Sequence, residues 1–208
     1  MSRITTEAVR CAVCGQTSSQ MTLVSAYVQG TGLDGKPLGA LPRVQECPHC
    51  HYAAPRLDAP AAPVVAEMVR SPAYQRWWTA QPDAPLRRVE AAARLATAGE
   101  PLPAADLQLL AAWYAEDAGD SRKAAGHRQA YLQLVRAAGQ DLDPAAMLVY
   151  LDTLRQTGET HDAETLAAQL EPAYRRGAGP GGLYSRILLR IRELSRQGDT
   201  APHTLSEV

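Results

Sequence analysis

The chain has 208 residues, a hydrophobic fraction of 46% and a formal net charge of -1. That balance excludes a whole-protein electrostatic case for nucleic acid or an anionic membrane, and no apolar run reaches the ~20 residues of a membrane span. With no Phe, eight Tyr and three Trp, packing must rest on Leu, Ala and Val, and the many alanines favour helix after the N-terminal part.

The first ten residues are mostly polar and lack the apolar centre of a signal peptide. A reducing cytoplasm is the expected compartment, and there paired Cys-x-x-Cys motifs are metal ligands more often than disulfides. The chain has four cysteines, in two such pairs, Cys11/Cys14 and Cys47/Cys50. This is the ligand set of a tetrahedral zinc site split between two knuckles. An all-cysteine shell leaves no coordination position for water, so the expected role of Zn2+ is folding and not catalysis. A recognition surface and an oxidisable redox switch are the alternatives. Gly15 suits the tight turn after Cys14. His49 and His51 flank Cys50 and read as exposed turn residues. His51 occupies a position where such knuckles use a left-handed glycine, a conformation histidine tolerates better than most side chains.

Between the knuckles, Met21 to Val28 reads as a strand, and Leu41 to Glu46 as a second strand leading into Cys47. Gly30 to Ala40 holds four glycines and a proline and reads as a loop with a flexible tip, Asp34 and Lys36 solvated. Gly30, Gly32 and Gly35 satisfy a Gly-x-Gly-x-x-Gly string, and Gly35-Lys36 approaches a phosphate-binding loop. Both fail on physics. A phosphate cradle must open a helix with free amides, whereas Pro37 has no amide proton and stands where Ser or Thr would hold magnesium.

Asp58 to Pro63 marks a change of pattern, giving expected domains of 1–60 (a zinc ribbon) and 61–208 (helical). After it the period is that of amphipathic helices. Ser71-Pro72 reads as a cap and first turn for a helix bearing Trp77 and Trp78. Leu86 to Ala98 forms another, ended by Gly99 and two prolines. A third spans Ala104 to Ala118. Asp120 or Ser121 caps the next, with Ala124, Tyr131 and Val135 inward. Asp143-Pro144 opens a helix bearing Met147, Leu148, Leu151 and Leu154. Ala163, Leu166, Ala167, Leu170 and Tyr174 define the following one, and a glycine-rich break at Gly177 to Gly182 precedes a last helix with Leu183, Ile187, Ile191 and Leu194 on one side. The expected fold class is mainly α, with a small N-terminal β zinc ribbon.

Gly119-Asp120 precedes Ala124 as Gly158-Glu159 precedes Ala163, at a spacing of 39 residues. This resembles the tetratricopeptide (TPR) repeat of about 34 residues, in which small residues let helices approach closely; a generic helical bundle is the other reading. Arg128 stands where that repeat uses a bulky apolar residue. From Arg175 to Arg196 there are six arginines (175, 176, 186, 190, 192, 196) and one acid, Glu193. They offer phosphate contacts to a nucleic acid or a solvated cap to the helical array.

The order Cys11-x-x-Cys14-Gly15, Leu33-Asp34, Pro37, Val44 to Cys50, and Tyr52-Ala53-Ala54 resembles a bacterial family of unknown function that joins a four-cysteine zinc ribbon to TPR-like helices. Ala112-Trp113-Tyr114 and Gly119-Asp120 are similar to its helical part. His51 departs from the family's glycine. The resemblance implies fold and metal and supplies no activity. With no His-Glu-x-x-His, Gly-x-Ser-x-Gly or paired-carboxylate cluster in the sequence, the expectation is a non-enzymatic adaptor binding a protein or peptide. A nucleic-acid-associated ribbon using the C-terminal arginines is the alternative.

Overall fold

The computed structural model describes residues 2–39, 41, 43–82, 85–99, 101–139, 142–177 and 182–208, with the side chains of 176 and 177 excepted. In chain order the elements are strands β1 (Arg3–Arg10), β2 (Thr17–Ser25), β3 (Val28–Thr31), β4 (Pro37–Gly39), β5 (Gln45–Glu46) and β6 (Ala53–Ala54). Helices follow: α1 (Pro63–Arg70), α2 (Pro72–Ala80), α3 (Pro85–Ala96), α4 (Pro101–Asp117), α5 (Ser121–Ala138), α6 (Pro144–Gln156), α7 (Thr160–Gly177) and α8 (Leu183–Arg196). A 3-10 turn, Leu205–Glu207, lies near the C-terminus. The fold is mainly α with a small N-terminal β part. No described helix is long and apolar enough to cross a membrane.

Strands precede residue 60 and helices follow it, but compactness groups them otherwise. One unit comprises Met1–Tyr27 and Ala40–Ala138; the other comprises Val28–Gly39 and Gly139–Val208. The β3–β4 hairpin therefore packs with the C-terminal helices.

In the first unit β1 and β2 form an antiparallel ribbon, with Thr6 opposite Met21 and Arg10 opposite Thr17. No strand was expected over β1. Val9 is its one buried residue, so it lacks the apolar alternation that betrays a half-buried strand; backbone pairing with β2 holds it. The strand expected over Met21 to Val28 instead ends at Ser25, and Val28 opens the next hairpin. The one expected over Leu41 to Glu46 contracts to Gln45–Glu46, paired with Ala53–Ala54. Pro42 lies outside the described residues. Leu41 and Val44 are buried with Val89, Ala91 and Ala92 of α3 and with Leu110 and Ala111 of α4.

Ser71 caps α2 as its sequence position predicts, its hydroxyl accepting from the Tyr74 amide at 3.2 Å. Pro101 and Pro103 do not end the helix before them; they sit in the first turn of α4, where the amides lack intrahelical partners anyway. Ala104, Ala105, Ala111, Ala112 and Ala115 of α4 are at most 1% exposed. Side chains this small let α3, α4 and α5 approach closely. Asp120 caps α5 by accepting from the Lys123 amide at 2.9 Å. Arg128, expected to be out of place on an apolar face, is buried and donates to Glu116 at 2.6 Å.

In the second unit Asp143 caps α6, accepting from Ala145 and Ala146 at 2.8 and 2.9 Å. Leu148, Leu151 and Leu154 of α6, Ala163 and Ala167 of α7, and Ile187, Leu188, Ile191 and Leu194 of α8 are buried. Residues 178–181 of the glycine-rich break are outside the described residues. The β3–β4 hairpin is no free tip. Leu33 and Asp34 are buried, Leu33 donates its amide to His203 O at 2.9 Å, and Gly32 bridges Thr204. Gly35 has a φ of 83°, a conformation that favours glycine, and a Cβ there would lie 3.3 Å from the Val149 side chain of α6. Asp34, expected to be solvated, accepts from the Lys36 amide at 3.1 Å.

Three helices end in the same turn. Gly119, Gly158 and Gly198 have φ of 77°, 88° and 67°. The following acid donates its amide back to Ala115, Leu154 and Leu194 at 2.8, 2.9 and 3.0 Å, the helix-ending geometry that a left-handed glycine permits. The third, Gly198-Asp199, was readable in the sequence as a further Gly-acid pair, 40 residues after Gly158.

Candidate metal centre

The two Cys-x-x-Cys segments fold as matched knuckles. Cys11 donates its amide to Gln16 O at 2.9 Å, and Cys47 to Tyr52 O at 2.8 Å. Gly15 and His51 in turn donate to Cys11 O and Cys47 O, each at 2.9 Å. Closing so tight a turn requires a left-handed residue, and Gly15 (φ 75°) and His51 (φ 65°) both supply it. Backbone amides then face the sulfurs: Gln16 onto Cys14, His49 and Cys50 onto Cys47, and Tyr52 onto Cys50.

The four Sγ atoms all lie within 4.8 Å of one another. Across the knuckles, Cys11 and Cys50 are 3.7 Å apart and Cys14 and Cys47 are 3.6 Å apart. A disulfide needs ~2.05 Å, so these are not bonded pairs. Tetrahedral coordination with metal–sulfur bonds of ~2.3 Å has an edge of ~3.8 Å, and the observed separations match it. The donor set thus fits a metal ion. Cys11 and Cys47 are buried, Cys14 and Cys50 partly so. Burial pushes the Cys47 and Cys50 thiols up, because a lone buried thiolate is poorly solvated. A cation among them would reverse that preference, as metal binding deprotonates its thiol ligands.

Helices lock this shell in place. Val9, Val13, Tyr52 and Leu57 pack in one core with Val69 of α1, Tyr74 of α2 and Leu95 of α3. Tyr74 donates its hydroxyl to His51 O at 2.7 Å, and the Gln75 side chain reaches Cys50 O at 3.1 Å. Arg70 donates to Val13 O at 3.2 Å.

Of the flanking histidines, His49 is exposed as expected. His51 is not: its ring stacks on Trp78, centroids 3.4 Å apart with 14° between planes. Its Nδ1 lies 3.8 Å from Glu46. Burial lowers its pKa, only partly countered by Glu46. The His51 ring thus packs against α2.

Four of the six C-terminal arginines pair with acids of their own unit. Arg192 pairs with Glu164 at 3.1 Å and with Glu171, Arg196 with Glu164 at 3.2 Å, Arg175 with Glu171 at 2.5 Å, and Arg190 with Glu207 at 3.5 Å. Arg186 is exposed. The acids come from the preceding helix and the terminal turn, which the tally over 175–196 omitted. Sequence reasoning also missed the pairing of Arg87 and Arg88 with Glu46 beside the second knuckle, in a cleft that Arg43 also lines. The Arg87-Arg88 pair on α3 was its visible trace.

No family model matches this chain, and no curated protein or solved structure matches it.

Proposed function

We propose that this protein is a non-enzymatic adaptor stabilised by Zn2+, held by Cys11, Cys14, Cys47 and Cys50, with helices that bind a protein or peptide partner. The carrying observation is the four-thiol cluster at the edge length of a tetrahedral shell. Four protein thiolates complete zinc's coordination, leaving no position at which a water or substrate could be activated. Such an ion acts as a fold determinant; structural zinc contributes on the order of 10–16 kcal/mol in small sites. Four reduced thiols accord with a cytoplasmic setting.

The equivalent Gly-acid turns at 119, 158 and 198 support a TPR-like reading of the helices, whose stacks present long binding surfaces. The four clustered cysteines and the helices that follow support the resemblance to a bacterial ribbon-plus-helices family of unknown function, which rests on the sequence motifs alone. Four of the six arginines that suggested the nucleic-acid alternative pair with Glu164, Glu171 and Glu207, while Arg186 is exposed; this weakens that alternative, and the capture below tests it.

Affinity capture by the full chain from its native cell extract tests this. A Cys11→Ser/Cys47→Ser variant is the comparison, since deleting the first sixty residues would also remove the β3–β4 hairpin from the second unit. A specific protein retained by the native chain supports the adaptor; retention of nucleic acid alone, or of nothing, refutes it.

A further inference from the structure

The first unit contains a cleft of about 440 Å³ beside the second knuckle. Met21 of β2, Pro48 of the knuckle, Trp78 of α2, Val89 of α3 and Tyr114 of α4 give it apolar and aromatic walls. Among the described residues, Arg43, Arg87 and Arg88 line it with one carboxylate, Glu46. One oxygen of Glu46 serves two guanidiniums, Arg87 at 3.5 Å and Arg88 at 3.4 Å. Both are long beside the ~2.7–2.9 Å of a strong charge-assisted bond. Arg87 is held over the Trp78 ring, 4.1 Å from its centroid, so its position is fixed by packing as well as by charge. The Arg88 side chain remains 41% exposed, and Arg43 is exposed. The enclosed indole N–H of Trp78 has no hydrogen-bond acceptor among the described residues.

The exposed Arg43 and partly exposed Arg88 give the described cleft a cationic rim, and planar guanidinium forks match carboxylate geometry. We infer that this cleft binds a carboxylate-bearing, partly apolar peptide segment of the partner protein. This rests on the adaptor reading and names the partner's chemistry and its place of contact. The aliphatic Met21, Val44 and Val89 among the lining residues suit peptide side chains better than a run of nucleic-acid phosphates.

Fluorescence anisotropy on the full, metal-replete chain tests the inference, with a labelled peptide of alternating glutamate and leucine as the probe. Its glutamine–leucine counterpart and a single-stranded oligouridylate serve as competitors. Arg88→Glu removes a cleft cation, Glu46→Gln removes its carboxylate, and Arg186→Glu makes the same charge reversal on exposed α8 as Arg88→Glu. Saturable binding is expected, weakened about tenfold or more by Arg88→Glu, tightened by Glu46→Gln and changed less than twofold by Arg186→Glu. Unfolding midpoints of the variants establish that the fold persists. No binding at about 1 mM peptide, equal competition by the glutamine peptide, equal loss with both reversals, or stronger competition by the oligouridylate would each overturn it. Capture from cell extract separates the two readings: a partner retained equally by Arg88→Glu leaves the adaptor standing without this cleft, and no partner for any form removes both.

Discussion

Residue 51 offers a test in which two opposing effects are separable. His51 sits at φ 65°, a conformation that costs a residue with a Cβ roughly 1–2 kcal/mol and glycine nothing. Against that, its ring stacks on Trp78 at 3.4 Å, a contact of about 0.5–1.5 kcal/mol for an aromatic pair. His51→Ala keeps the backbone strain and loses the ring, so it should destabilise by about 1 kcal/mol. His51→Gly loses the ring and relieves the strain, so it should lie within about 1 kcal/mol of the native chain and above the alanine variant by about 1–2 kcal/mol. Trp77, Trp78 and Trp113 all belong to the first unit, so urea unfolding followed by tryptophan fluorescence reports on it. Equal midpoints for the alanine and glycine variants, at equal slopes, would refute the claim that a left-handed turn at 51 is tolerated for the sake of the ring.

In the second unit, Arg155 is fully buried and donates to Asp152 at 2.8 Å and to the carbonyls of Asp199 and Ala201 at 2.7 and 2.8 Å. Burial pushes the Asp152 carboxyl up; Arg155→Ala removes its counter-ion, leaving it the Gln156 side chain at 2.7 Å, and should cost about 3–5 kcal/mol in a urea titration. Gly158→Ala should cost about 1 kcal/mol in the same assay, all of it backbone strain, since φ is 88° and nothing lies within 4 Å of a new Cβ. His203 lies 2.6 Å from Glu207 and 2.9 Å from Asp199. It holds Glu207 down to about 2 from an ordinary 4.5, helped by the Thr204 amide. The Ala201 amide, then His203, lowers Asp199. A carboxylate with a depressed folded pKa stabilises above its unfolded pKa and loses that contribution as pH falls through the folded value. Hydrogen-exchange protection of the Leu33 amide, which donates to His203 O, should therefore fall between about pH 4.5 and 2, and His203→Gln should lower it already at neutral pH.

Local chemistry was legible in the sequence and long-range assembly was not. The Cys-x-x-Cys spacing, the left-handed positions at Gly15 and His51, and the caps Ser71, Asp120 and Asp143 depend on neighbours a few residues away, and all are found as read. β1 escaped because an exposed ribbon carries no hydrophobic period. Asp34 read as solvated because nothing near it in sequence announces the C-terminal turn that covers its hairpin. The arginines of 175–196 read as phosphate contacts or a solvated cap, without their ion pairs, because Glu164, Glu171 and Glu207 lie outside that window. The cleft around Glu46 draws on β2, the second knuckle and three helices, a juxtaposition that only the fold creates.

X-ray absorption at the zinc edge, with metal quantified per chain on protein purified without added metal, bears most directly on the central claim. One zinc per chain with four sulfur neighbours near 2.3 Å is the predicted result. A folded protein carrying no stoichiometric metal, or a zinc with nitrogen or oxygen in its inner shell, would contradict it.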